Sequence, residues 1–93
     1  MNLDKAKKRI AKHVKKGFKG YPLVSIGYYG DNKDCATEVV IQFKLTEESE
    51  VQEERFATQT DARESEVMQT TLLKIIERAN AASVVESEEV IVS

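Results

Sequence analysis

Few residues in this 93-residue chain are of the types that do chemistry, and only one group of them is dense. Lys5, Lys8, Arg9, Lys12, Lys15, Lys16 and Lys19 crowd the stretch KAKKRIAKHVKKGFKG. At about 100° per residue these seven fall within an arc of about 120° on one helical face. A face of that kind attracts polyanions, because counterions released from a phosphate backbone drive association. The partners it implies are nucleic acid or an acidic protein. A purely solvated face that offsets acidic charge elsewhere is the competing reading. Lysine predominates over arginine, whereas base edges are read by bidentate forks. Any nucleic-acid binding is therefore expected to be sequence-tolerant and directed at the backbone.

The other reactive types are isolated. His13 lies between the lysines and the apolar side of the same helix, with no orienting partner nearby in sequence. Cys35 sits in a loop, and a nucleophilic thiol would need a base that only the distant His13 could supply. A single cysteine excludes an intrachain disulfide and a multi-cysteine zinc site. The stretch Asp31-Asn32-Lys33-Asp34 lacks the ligand count and the glycine of a calcium loop. Glu47, Glu48, Glu50, Glu53 and Glu54 read as a solvated hairpin surface rather than a carboxylate pair facing a cleft. No Gly-rich phosphate loop, serine elbow or zinc spacing occurs. The expectation is a non-enzymatic protein with no cofactor and no metal.

Charge is unevenly spread. Residues 1–20 hold eight basic side chains and one acid, net +7, whereas residues 21–93 hold six and fifteen, net −9. The longest apolar runs fall far short of the ~20 residues of a membrane span, and no apolar stretch follows the first lysines as a secretory signal requires. A membrane partner is not expected, and the cytoplasm is the expected location. Ninety-three residues is room for one core.

Helical spacing places Leu3, Ala6, Ile10 and Val14 on one side of a first helix over about 3–16, capped by Asn2 or Asp4 and ended by Gly17, with Phe18 folding back. Alternation predicts strand 1 over 23–29, with Val24, Ile26 and Tyr28 on one face. Strand 2 follows over 37–45, with Val39, Ile41, Phe43 and Leu45 on one face. A weaker strand 3 falls within 51–58, in a register that sets Lys44 near Glu53 and Gln42 near Arg55. Helix 2, capped by Thr60 or Asp61, carries Met68, Leu72, Ile75, Ile76 and Ala79 as its stripe, and Leu73 points away from it, to solvent or a partner. The resulting fold class is α+β: two layers, a three-stranded antiparallel sheet and two helices on one face, in the order α-β-β-β-α.

Residues 1–83 form the domain, and 84–93 a tail read as a short strand, a strand exchanged with a second chain, or disorder. The apolar end of that tail suggests a second function class, self-association or protein docking. It would use Tyr29, Leu73, Val90, Ile91 and Val92, so the chain is expected to be a monomer or a homodimer. The α-β-β-β-α order is similar to that of the double-stranded-RNA-binding domain, and ribosome-associated hibernation factors share most of it. The chain departs from that domain where it expects a basic start to helix 2, here TQTDARESE, and a Gly-Pro loop with a histidine, here GDNKDC. No family follows from the order alone, and no residue roles are carried over.

Overall fold

Asn2 opens the structure as a cap: its Oδ1 accepts from the Lys5 N–H at 2.9 Å, and helix α1 runs Leu3–Lys15. Gly17 ends it with φ +73°, its N–H donating to the Val14 carbonyl at 3.1 Å, a geometry that costs a residue without a side chain least. The computed structural model describes residues 2–87 and 89–92; Met1 and, within the tail, Glu88 and Ser93 lie outside the described residues.

Strands β1 (Leu23–Gly30) and β2 (Glu38–Lys44) pair antiparallel, with Ile26 opposite Ile41. Strand β3 (Gln52–Ala57) pairs with the far edge of β2. Its register differs by two residues from the expected one: Gln42 faces Glu53 and Val40 faces Arg55. The shift keeps Phe56 on the same side of the sheet as Val39 and Ile41, since a two-residue slip preserves facing. It also lets Arg55 bond Glu38 and Glu53 at 3.0 and 3.1 Å. Leu45 lies beyond the strand and is exposed, so it does not extend the Val39–Ile41–Phe43 face.

The expected Asp61 cap belongs to a short 3-10 turn, Ala62–Glu64, while Ser65 caps helix α2 (Glu66–Ala79) by accepting from the Met68 N–H at 3.2 Å. Asn80, in the left-handed region, turns the chain back to the sheet. Strands β4 (Ser83–Glu86) and β5 (Ile91–Val92) then both pair with β1, in parallel. The sheet is thus mixed and five-stranded, in the order β3-β2-β1-β4 with β5 beside β1. This corrects the three-stranded antiparallel expectation. A parallel neighbour needs a crossover, and α2 supplies it. Between β4 and β5 the register jumps: Ile26 pairs with Glu86, but Tyr29 pairs with Ile91. The slack holds Ser87, whose Oγ accepts from the Tyr28 N–H at 3.1 Å.

One hydrophobic cluster joins Ile10 of α1, the alternate residues Val24, Ile26, Tyr28, Val39, Ile41 and Val84 of the sheet, and Met68, Leu72, Leu73 and Ile76 of α2. Leu73 is only 1 % exposed, contrary to the expectation of an outward side chain. A helix packed on a sheet alone buries a narrow stripe. α2 also packs against α1, which widens its buried arc to include Leu73.

Candidate functional site

With Ala6 and Ile10 buried, the opposite side of α1 must face water, and it does. Lys5, Lys8, Arg9, Lys12, Lys15 and Lys16 are all exposed. Lys19 is exposed too, but it lies past the helix end rather than on the helical arc; its N–H donates to Ser83 Oγ at 2.7 Å. Among the described residues none of these seven cations makes an ion pair. Lys7, which falls outside the arc, does: its Nζ lies 3.0 Å from Glu64 Oε1. The lysines of the last turn also oppose the negative end of the helix dipole. Along the α1–α2 seam Arg9, Lys12, His13 and Lys16 share a groove with Leu73 and Glu77, so α2 brings a single carboxylate to it.

On the other flank of α1 lies an open cleft of about 630 Å³, lined by Lys7, Tyr28, Arg63, Glu64, Gln69 and Glu86 among others. A buried relay crosses its floor. Gln69 Nε2 donates to the Ala62 carbonyl at 3.0 Å and to the Tyr28 hydroxyl at 3.1 Å, and that hydroxyl donates to Glu86 Oε2 at 2.9 Å. Burial holds the Tyr28 phenol well above the usual tyrosine range, the Glu86 carboxylate adds to the shift, and the Gln69 hydrogen bond partly opposes it. With its hydroxyl bonded on both sides, Tyr28 braces the sheet against α2. The nearby turn is held by Asp61, whose carboxylate accepts from Arg63 Nε and Nη2 at 3.0 and 2.7 Å and from the Arg63 and Ala36 N–H groups. The Arg63 side chain, first among these bonds, draws the Asp61 pKa below its ordinary value despite partial burial.

The residues expected at a protein interface do not form one surface. Leu73 and Val90 are buried in the core. Tyr29 is half-buried on the outer sheet face with its ring laid over Gly27, where a Cβ would stand 2.9 Å from Cε2. Ile91, paired with Tyr29, and Val92 stay exposed, but on a strand that closes on its own chain. Phe18 does not fold back onto α1; it stands 62 % exposed and meets Tyr21 edge-on, 5.5 Å between centroids at 81°.

Sequence reasoning missed Gln69 and Glu86. Gln69 did leave a signal, since it shares the helical phase of Leu72, Leu73 and Ile76: a polar side chain inside an apolar stripe. Glu86 left none, because its partner is 58 residues away. Among the described residues no helix is long and apolar enough to cross a membrane. Comparison with known protein families, curated proteins and solved structures found no match to the chain.

Proposed function

We propose that this is a non-enzymatic binding domain whose basic ridge on α1 holds a polyanion, with a nucleic-acid backbone the favoured ligand. One observation carries the reading: six exposed cations along α1 and its cap, and Lys19 just past its end, have no ion-pair partner among the described residues, whereas Lys7 on the flank has one. Unpaired lysines repel one another, and a polyphosphate relieves that repulsion while releasing its own counterions. The cleft is a poorer candidate for an anion: of the cations lining it, Lys7 is paired with Glu64 and Arg63 with Asp61, Lys8 is shared with the ridge, and Glu86 adds a further carboxylate.

The test is equilibrium binding of fluorescent oligonucleotides across a salt series. Each phosphate neutralised contributes about 0.7–0.9 to the slope of log affinity against log salt. A ridge making about four contacts would therefore lose roughly 50- to 150-fold in affinity between 50 and 200 mM salt. Replacing Lys8, Arg9, Lys12 and Lys15 together by glutamine should abolish that dependence while leaving the thermal melt in place. Equal binding by the fourfold variant, or affinity indifferent to salt, would refute the proposal.

A further inference from the structure

The ridge does not stop at the end of α1. Past Lys15 and Lys16 the chain makes a short loop, and its tip is an aromatic ring in water: Phe18, between Lys16 and Lys19. Gly17 and Gly20, at φ +73° and +101°, shape the loop. Ser83, only 1 % exposed, clamps it from below: its Oγ accepts from the Lys19 N–H and donates to the Gly20 carbonyl, both at 2.7 Å. Tyr21 braces Phe18 edge-on, and the Lys44 ammonium lies 5.9 Å from the Tyr21 ring centroid. The ring is thus exposed yet held, so a partner that stacks on it loses little loop entropy in doing so.

We infer that the ligand of the ridge is single-stranded nucleic acid, with Phe18 stacking an unpaired base while Lys16 and Lys19 hold the phosphates on either side. This rests on the polyanion reading and adds to it. The bases of a duplex are already stacked on each other, so a ring at a loop tip would meet only sugar and phosphate there. A single strand offers free base faces, and aromatic platforms beside basic tracks exploit them with little regard to sequence. The chain has no tryptophan, so Phe18→Trp would place a single emission reporter at the stacking position.

Oligothymidylate, an abasic oligomer of the same length and inorganic polyphosphate serve as probes at low salt. Phe18→Ala should weaken oligothymidylate binding by about 5- to 150-fold and leave polyphosphate binding unchanged. Phe18→Trp should retain affinity, and oligothymidylate but not the abasic oligomer should quench its emission. If Phe18→Ala binds oligothymidylate as the wild type does while the fourfold ridge variant does not, the stacking inference is overturned and the polyanion reading survives. If the wild type binds none of the three probes, both fall.

Discussion

The two flanks of α1 treat charge in opposite ways. On the ridge, lysines and an arginine stand in water with no ion pair among the described residues; at the cleft, Lys7 meets Glu64, Arg63 meets Asp61, and the Tyr28 hydroxyl is bonded on both sides. Surface ion pairs contribute little to stability, whereas a satisfied buried network is costly to breach. The difference teaches that the charges of the cleft side are tied into the architecture of the domain, while those of the ridge are not. Substitutions on the two flanks should therefore separate cleanly into losses of stability and losses of binding.

The strongest way to break that division is at the seam between the helices. Leu73→Ala should lower unfolding stability by about 2–5 kcal/mol, as expected for a large apolar side chain removed from a packed core. A denaturant melt unchanged by the substitution would mean that α1 does not cover Leu73, and the ridge would lose its fixed platform. Next in size is Tyr28→Phe, which strands Gln69 and Glu86 and should cost about 1–3 kcal/mol, with oligonucleotide affinity at low salt unaltered. Retained stability with lost binding would place the ligand in the cleft instead. Tyr28 also gives alkaline behaviour a definite sign. Its native pKa is raised, so its contribution is complete below about 10 and fades as the pH climbs towards the higher native value.

The smallest effect sharpens the comparison from the acid side. Because the native Asp61 pKa is lowered, its contribution is complete above about 4 and is lost as pH falls through the native value. Asp61→Asn should be less stable than the wild type near neutrality and converge with it in strong acid, as followed by unfolding at a series of pH values. A gap that stays constant into strong acid would show that the carboxylate's charge is not what holds the Ala62–Glu64 turn.

What the sequence disclosed depends on how local its cause is. The ridge was legible because exposed cations need only the phase of one helix, and Asn2 and Gly17 mark that helix at both ends. The alternation of Val24, Ile26 and Tyr28 likewise follows from strand geometry alone. Leu73 reads as outward in the sequence because its burial depends on a second helix, and no periodicity within α2 reports that neighbour. The tail is open in the sequence for a similar reason: Val84 and Val85 look the same whether they pair with β1, with another chain, or with nothing. Phe18 resembled a helix-end staple by position, and only the Ser83 clamp, from the other end of the chain, shows why it stands out instead.

That clamp belongs to β4, and β4 has a consequence for how the chain assembles. β1 is the inner strand of the sheet, yet its second neighbour is drawn from residues 83–86, synthesised well after it, with Leu23 waiting for Ser83. Hairpins β1–β2 and β2–β3 can close early over short loops, but the parallel seam must wait for α2 to be made and to swing back across the sheet. Until then the hydrogen-bonding edge of β1 lies open and the Phe18 loop has no anchor beneath it. The Phe18 loop is therefore anchored only when β4 docks, the strand that also seals the core.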